Sequence, residues 1–443
     1  MDEFATLLSH VMNNALGAGN VTNLSRLTGG ANMESSSFDF GGSSYVLRRA
    51  PSPEMMAGRP FGHDVEAAII RAAYRSGVKA PEVVAELSPT DGLGTGFVMV
   101  RVEAEVSPVK ILAAPPASLI TTIAAELAKI HSIALADLPY VPTMNTATAL
   151  GELKARFMAY GGDRPIIALA IKWLEDHLPA PAPLVLVHGD FRMGNLMVGP
   201  DGIAAVLDWE LAHIGDAHED LAWGCVNAWR FGHIELTAFG CANLETYFAA
   251  YQDAGGIAVD RERFRFWLIY RTLWWAMGCL QMGEIWRSGI DKSLERAMIG
   301  QRTSENEIDL LMLLEADAPE TEKIQVALAH APPPRRMGEP SQTELLEAIA
   351  GWIASDIKPA AKGRDRFMAA VAINAIGMLS REAAHPVAVH DAELSADLMS
   401  GACDLTTPGL LARLRRVALS KLANDVPKYS ALEKARALWV RPE

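Results

Sequence analysis

The sequence has few cysteines, no metal-binding or disulfide-forming cysteine pattern, and a deficit of positive charge. Its 443 residues include four cysteines, and no two of them are spaced as C-x-x-C. Such sparse usage is typical of small buried thiols in a reducing compartment, and it excludes a disulfide-stapled scaffold. With 40 Lys and Arg against 53 Asp and Glu, the formal net charge is −13. We therefore expect no nucleic-acid partner, because that function needs a basic footprint.

The first residues predict no secretion signal, and the sequence has no long uninterrupted apolar run. Residues 1–4 are acidic where a signal peptide is basic. The most apolar long stretch, 264–282, contains Arg265 and Arg271 together with three tryptophans. Charged residues in a membrane span are costly, so this stretch is predicted to be a buried helix. We expect a cytoplasmic protein with no membrane partner.

Length and patterning predict three structured parts. A chain of 443 residues is too long to fold around a single hydrophobic core of ordinary size. Residues 1–103 have the pattern of an antiparallel sheet with one helix, and 104–325 are mainly helical with two short buried strands. A proline-rich linker is predicted at 326–340, before four or five amphipathic helices in 341–443. The expected fold class is α+β followed by an all-α domain.

Charge also separates the C-terminal part from the rest. Residues 333–443 hold 15 basic and 13 acidic residues, whereas the remainder is strongly acidic. This part carries no recognisable catalytic motif. It is expected to dock on the rest of the chain, to mediate homo-oligomerisation or to recruit a partner, and to be dispensable for nucleotide binding.

The strongest chemical signal lies where two short apolar strands end. The strand predicted at 184–187 leads into H-G-D-F-R-M-G-N at 188–195. The strand predicted at 204–207 leads into D-W-E at 208–210. A hairpin-like return of the chain would bring Asn195 and Asp208 to the same edge.

These motifs contain the groups that phosphoryl transfer needs. One carboxylate must orient or deprotonate the attacking hydroxyl, and hard oxygen ligands must hold Mg²⁺ against the nucleotide phosphates. Asp190, Asn195 and Asp208 supply those groups at kinase-like spacing. Any one of them alone is as easily a turn former or a helix cap. The three together, between two apolar strands, predict a phosphotransfer site.

H-G-D-F-R-x-G-N followed by D-W-E resembles the aminoglycoside phosphotransferase and choline kinase-like family. Within that superfamily it looks most like the kinase-like domain that precedes an acyl-CoA dehydrogenase domain in some larger proteins. The resemblance covers roughly residues 20–310. It implies a bilobal protein kinase-like fold, with a small antiparallel sheet lobe and a larger helical lobe. It also implies an ATP- and Mg²⁺-dependent small-molecule O-phosphotransferase.

The resemblance assigns roles to the two motifs. Asp190 becomes the catalytic base or hydroxyl-orienting group, and Asn195 and Asp208 become Mg²⁺ ligands. Glu210 is expected to reach a second metal through water. Arg192, two residues after Asp190, is expected to stabilise the developing charge, with a plain surface arginine as the alternative.

Two further residues are expected to support the catalytic loop. His188 is expected to brace it rather than take part in chemistry. Asp220, on the following helix, matches a family aspartate that ties the loop down. The end of the predicted strand at 97–102 is expected to lead to an interlobe hinge, where backbone groups near Arg101 and Val102 would contact the adenine.

The N-terminal part is expected to hold the nucleotide phosphates. Gly29 and Gly30 lie where a kinase-like fold has its phosphate-covering turn, although a plain hairpin turn explains them as well. Arg48 occupies the place of the usual strand lysine, with Glu66 as its helix partner. Arginine is not equivalent to lysine there. Arg49 is the rival, since strand alternation lets only one of the two face the cleft.

The acceptor stays open between two classes of hydroxyl compound. A metabolite such as a hydroxyacyl-CoA would need cations for the CoA phosphates, for which Arg230, Arg271 and Arg287 are candidates. An aminoglycoside-type antibiotic would need several carboxylates instead. A catalytically silent nucleotide-binding or scaffold module is a third hypothesis, motivated by the weak glycine turn and by Arg48.

Overall fold

The computed structural model describes residues 3–27, 33–56, 58–328 and 340–441. The chain divides into two compact units. The first contains residues 1–145 and 180–264, and the second contains 146–179 and 265–443. Residues 146–179 and 265–325 are therefore grouped with the C-terminal helices rather than with the rest of the predicted 104–325 part. Most of the predicted linker, 329–339, lies outside the described residues.

The first unit begins with a five-stranded antiparallel sheet and two helices. The sheet order is β1-β2-β3-β5-β4, and the elements are α1 (Glu3–Leu16), β1 (Thr22–Arg26), β2 (Glu34–Phe40), β3 (Ser43–Ala50), α2 (His63–Arg75), β4 (Val83–Glu86) and β5 (Thr95–Val100). In β3, alternate residues such as Tyr45 and Leu47 are buried, as expected of a strand with one face on a core.

The helix α1 is a correction to the sequence analysis, which predicted one helix in residues 1–103. Its apolar residues Leu8, Val11 and Met12 recur at helical spacing and are buried. They join the same core as Phe38 and Leu47 of the sheet. Packing of this apolar face against the sheet therefore stabilises the helix.

The remaining part of the first unit surrounds two small two-stranded sheets. β6 (Leu184–Val187) pairs with β9 (His213–Asp216), and β7 (Leu196–Gly199) pairs with β8 (Gly202–Val206). Helices α3 (Pro108–Ala113), α4 (Leu119–His131), α7 (Ala217–Trp223) and α8 (Leu244–Asp253) complete it. Gly202 has φ +109°, and a Cβ there would lie 2.3 Å from the Thr122 hydroxyl oxygen, so the β7–β8 turn requires glycine.

The second unit is helical in the part of it that the structure describes, apart from a single bridge between Val326 and Val440. Its helices are α5 (Thr146–Ala159), α6 (Pro165–Asp176), most of α9 (Arg261–Ser288), α10 (Leu294–Gln301), α11 (Thr303–Leu314), α12 (Gln342–Trp352), α13 (Lys358–Ala360), α14 (Gly363–Ala384), α15 (Ala392–Ser400), α16 (Leu410–Asp425) and α17 (Ser430–Trp439).

The apolar stretch predicted to be a buried helix is α9, and Trp267 and Met277 within it are fully buried. By length and composition alone, one helix in the described residues could cross a membrane. It is α14, with a mean hydropathy of 1.2 over its most apolar window and 11% of that window buried. The helix packs against α12 and α16 within the second unit.

Candidate functional site

The loop at 188–195 begins where β6 ends, and its path requires Gly189. This residue has φ +80°, and a Cβ there would lie 2.3 Å from the Leu211 carbonyl oxygen. The N–H groups of His188 and Gly189 donate to the Asp220 carboxylate, over 2.7 and 3.0 Å. Helix α7 thereby fixes the loop through the side chain of Asp220.

The Asp220 carboxylate is fully buried and needs these donors. Burial opposes its ionisation, yet the hydrogen bond and charge of His131 and the charge and N–H of His188 hold its pKa below the usual range. The His188 ring stacks at a tilt on Trp209, with 4.5 Å between centroids. Its Nδ1 accepts from the Asp190 N–H at 3.2 Å, so the ring braces the loop from within.

The Asp190 carboxylate is held by three different side chains. Trp223 donates its indole N–H to Oδ1 at 2.6 Å, and Asn195 donates its amide N–H to Oδ2 at 2.5 Å. Arg192 reaches both oxygens, at 2.8 and 3.2 Å. A carboxylate with this many donors has a fixed orientation and remains an acceptor. The arrangement suits a group that accepts a hydroxyl hydrogen.

Arg192 is part of this assembly rather than a plain surface arginine. Its guanidinium lies 4.1 Å from the centre of the Trp229 ring, a cation–π contact. Trp223 and Trp229 meet edge to face, with centroids 5.2 Å apart. The tryptophans of this region were not predicted at the site, because in the sequence they resemble ordinary helix core.

A hairpin joins the two motifs, but not between the two predicted strands: β6 pairs with β9, and β8 pairs with β7, a strand that the sequence analysis did not predict. Strands β7 and β8 pair from Leu196 opposite Val206, and the Leu207 N–H donates to the Asn195 carbonyl at 2.8 Å. Asn195, just before β7, and Asp208, shortly after β8, therefore lie at the same end of the hairpin, as predicted. Asp208 has φ +67°, which is uncommon for a residue other than glycine.

A second charged cluster forms around Arg48. Its Nη2 donates to Asp208 Oδ1 at 2.7 Å and to Glu210 Oε2 at 2.5 Å, and its Nε lies 3.4 Å from Glu66 Oε1. Arg49, its neighbour on β3, instead pairs with Glu34. Strand alternation thus directs Arg48, and not Arg49, toward the carboxylates Asp208 and Glu210.

The charges of this cluster shift one another. Burial raises the pKa of Glu66 to about 7, with the charges of Asp208 and Glu210 adding to it and Arg48 opposing it. Burial of Arg48 favours its neutral form, but the three carboxylates outweigh burial and raise its pKa. The guanidinium therefore stays charged between them.

Arg59 belongs to the same cluster and was missed by the sequence analysis. Its Nη1 lies 2.7 Å from Glu210 Oε2, the oxygen that also accepts from Arg48. It comes from the segment between β3 and α2, which has no periodic pattern to interpret. A cation shortly before the helix that carries Glu66 was the available signal.

The donor set at the hairpin end fits Mg²⁺. In 3–27, 33–56, 58–328 and 340–441, no group of three or more His, Cys, Asp or Glu is arranged to hold a metal ion. Mg²⁺ keeps several waters and phosphate oxygens, so two or three protein oxygens are enough. Asp208, Glu210 and the amide oxygen of Asn195 are hard oxygen donors of that kind.

Other predicted nucleotide residues are less informative. Gly29 and Gly30 lie outside the described residues. Arg101 follows β5, where its side chain pairs with Glu103 at 2.8 Å and its N–H donates to the Ser44 carbonyl. That N–H is used within the sheet; Val102, the next residue, is half-buried.

Two of the three arginines predicted for the CoA phosphates are buried. Arg230 is 8% exposed and donates to the carbonyls of Cys225 and Ile234, so it holds a turn. Arg271 is 3% exposed and lies over the Trp274 ring at 4.6 Å. Arg287 is exposed and pairs with Glu284. Burial argues against Arg230 and Arg271 as surface anchors for an acceptor.

Comparison with known proteins gives two family matches. The model of the phosphotransferase enzyme family (APH) matches residues 24–267, more than half of the chain. The model of a domain of unknown function, DUF6285, matches residues 359–429. The second match lies within the predicted helical domain 341–443.

Curated relatives carry acyl-CoA dehydrogenase names. The chain is 29% identical over 237 residues to acyl-CoA dehydrogenase family member 10 of Mus musculus, covering 46% of this chain and 21% of that protein. It is 30% identical over 201 residues to acyl-CoA dehydrogenase family member 11 of Gallus gallus, covering 41% and 25%. The chain thus spans a fifth to a quarter of the length of these relatives.

A solved structure supports the fold. The crystal structure of a protein named as an aminoglycoside phosphotransferase, from Ralstonia eutropha, is 20% identical and covers 70% of this chain and 97% of its own, with a TM-score of 0.55. This likeness shows the kinase-like α+β fold that the motifs predicted. The match over residues 24–267 shows that the chain belongs to the phosphotransferase enzyme family (APH).

Proposed function

We propose that this protein is an ATP- and Mg²⁺-dependent phosphotransferase whose acceptor is a hydroxyl group of a metabolite. The observation that carries the proposal is the Asp190 carboxylate, oriented by Trp223, Arg192 and Asn195. Asn195 is also joined through the hairpin to Asp208, so the Asp190 carboxylate and the oxygen donors for Mg²⁺ belong to one assembly. A catalytically silent module has no use for a carboxylate fixed in this way.

In the proposed reaction, Asp190 accepts the hydrogen of the acceptor hydroxyl and orients its oxygen toward the γ-phosphorus. A new oxygen–phosphorus bond forms while the bond to the leaving ADP oxygen breaks, and the proton passes to Asp190. Positioning and charge stabilisation provide most of the rate in such transfers. Arg192, held over Trp229, places positive charge beside the acceptor.

Asn195, Asp208 and Glu210 are the proposed holders of Mg²⁺. When bound, the ion neutralises phosphate charge. Arg48, fixed by Glu66, is the proposed replacement for the family lysine near the nucleotide phosphates. Gly29 and Gly30 remain the predicted phosphate-covering turn.

For the acceptor, we favour a hydroxyacyl-CoA or a related hydroxy compound over an aminoglycoside. The described surroundings of Asp190 are cationic and aromatic, through Arg192, Trp223 and Trp229. A polycationic antibiotic would be repelled by that arginine. The names of the relatives, which refer to acyl-CoA substrates, point in the same direction.

The proposal is tested by measuring ADP release with Mg²⁺ and a panel of hydroxy acids, their CoA thioesters, choline-like alcohols and aminoglycosides. We expect acceptor-dependent turnover with a hydroxyacyl thioester, and a loss of about 10²–10⁴-fold in Asp190→Asn. Asp201→Asn is the matched control, because Asp201 is exposed at the turn of the β7–β8 hairpin. ATP binding without turnover on any acceptor would instead support a binding module.

A further inference from the structure

Two arginines converge on one carboxylate oxygen at the candidate site. Arg48 and Arg59 both donate to Oε2 of Glu210, over 2.5 and 2.7 Å. Because they share one acceptor oxygen, the two guanidiniums lie close together. Each arginine side chain is only 15% exposed, so both are largely out of water. Like charges this close repel each other unless an anion lies between them. Glu210 provides that anion in this structure.

The two arginines differ in how firmly they are held. Among the described residues, Arg48 has three carboxylate partners, Glu66, Asp208 and Glu210. Arg59 has one such partner, Glu210. Exchanging the Glu210 carboxylate for a phosphate oxygen would therefore cost Arg59 a single ion pair. For Arg48 the same exchange would disturb the whole cluster.

Charge balance gives that exchange a reason to occur. When Glu66 is ionised, Glu66, Asp208 and Glu210 carry three negative charges against the two positive charges of the arginines; with its pKa raised to about 7, Glu66 is partly protonated at neutral pH. A divalent cation bound by the carboxylates would turn this deficit into a surplus of positive charge. An anion is then needed beside the arginines, and a phosphate group accepts the planar guanidinium fork well.

We infer that Arg59 is a phosphate-binding residue of the nucleotide site. When the nucleotide binds, the Arg59 guanidinium exchanges its ion pair with Glu210 for contacts to the phosphates, whereas Arg48 keeps its ion pairs and positions Asp208 and Glu210. This inference rests on the proposed function, because it assumes that a nucleotide binds at the cluster. It adds a residue that lies outside both sequence motifs. It also explains how an arginine can stand in the place of the strand lysine: a second cation, Arg59, makes the phosphate contact.

The test is calorimetric binding of ATP, ADP and AMP, with Mg²⁺, to the full chain and to its variants. Arg59→Ala is expected to weaken ATP binding by about 10–100-fold, since a charge-assisted contact is lost, and to leave AMP binding within about twofold. Arg59→Lys should restore part of the ATP affinity. Arg71→Ala is the matched control, because Arg71 forms an Arg–Glu pair with Glu86 on the same sheet and helix layer.

The outcomes separate the inference from the proposed function. Wild-type protein that binds no ATP overturns both. Wild-type protein that binds ATP, with an Arg59→Ala variant that binds ATP as tightly as wild type does, overturns the inference alone. Equal weakening of ATP and AMP binding also overturns it, because that result places Arg59 in the support of the lobe rather than on the phosphates.

Discussion

Buried charges are arranged differently in α11 and in the candidate site. In α11, Glu307 pairs with Arg164 through two hydrogen bonds of 2.9 and 2.6 Å, and Glu305 pairs with Arg302 at 2.9 Å. Asp309 accepts from the Tyr429 hydroxyl at 2.6 Å. Each carboxylate thus has its own donor. In the candidate site, three carboxylates share two arginines.

The difference distinguishes structural charges from functional ones. The Glu305 and Glu307 side chains are 4% and 7% exposed, and each is neutralised by its own cation, as a permanent core requires. Asp208 and Glu210 are 31% and 17% exposed and carry an uncompensated charge. Such a cluster can exchange one cation for another. Three variants break or sharpen this contrast.

The largest expected effect is in the paired region. Arg164→Met leaves the Glu307 carboxylate buried without its cation, and we expect the free energy of unfolding to fall by about 3–5 kcal/mol. Lys154→Met is the matched control, because the Lys154–Glu175 pair is about one-third exposed on both sides. Its removal should cost about 0–1 kcal/mol. Urea unfolding of both variants measures the contrast, and equal losses would contradict it.

A smaller effect is expected at the candidate site. Arg48→Met removes the central cation, but Glu66 can take up a proton and Asp208 and Glu210 are reached by water. We expect a loss of about 1–2 kcal/mol in the free energy of unfolding. Added Mg²⁺ should raise the melting temperature of the variant more than that of wild type, since the ion replaces the missing charge. Equal shifts would show that the carboxylates do not attract the ion.

The third effect develops only as the pH falls, at His63 beside the cluster. Burial, followed by the charges of Arg48 and Arg59, lowers its pKa from 6.5 to about 4. Below pH 6.5 His63 binds a proton in the unfolded chain but stays neutral in the folded protein, so the free energy of unfolding decreases as the pH falls toward 4. The contribution amounts to about 2 kcal/mol between pH 7 and pH 5.

The measurement for His63 is the stability of His63→Gln between pH 7 and pH 5. The variant should lose less stability over this range than wild type. His233→Gln, which changes an exposed histidine, should follow the wild-type curve. A His63→Gln curve parallel to wild type would mean that neither burial nor the charges of Arg48 and Arg59 lower the pKa of His63.

Local signals predicted the region around Asp190 well. The motifs at 188–195 and 208–210 are close in sequence, so short-range patterns predicted that Asn195 and Asp208 lie together. They did not predict β7 and β9, the strands that pair with β8 and β6. The assignment of Arg48 needed the structure, because alternation alone permits either of two adjacent arginines to face the carboxylates.

Contacts between distant segments were not predictable in the same way. Arg59 meets Glu210 across 151 residues, and nothing in its own segment indicates a partner. The grouping of residues 265–325 with the C-terminal helices depends on pairs such as Arg415 with Glu315, 100 residues apart. The expectation that residues 341–443 are dispensable for nucleotide binding stays a prediction; their removal would take away Arg415 and Tyr429, the partners of Glu315 and Asp309 in the second unit.

The backbone of Asp208 determines which substitutions are informative there. Asparagine and aspartate tolerate a positive φ better than other residues with a side chain, because their short polar groups suit the left-handed region. Asp208→Asn therefore removes the charge with little conformational penalty. Asp208→Ala would combine the loss of charge with a disfavoured dihedral angle. In a mutational library, tolerance for asparagine and glycine but not alanine at this position would reflect the positive φ of the backbone. Only the activity of the asparagine variant would show what the charge of the carboxylate contributes.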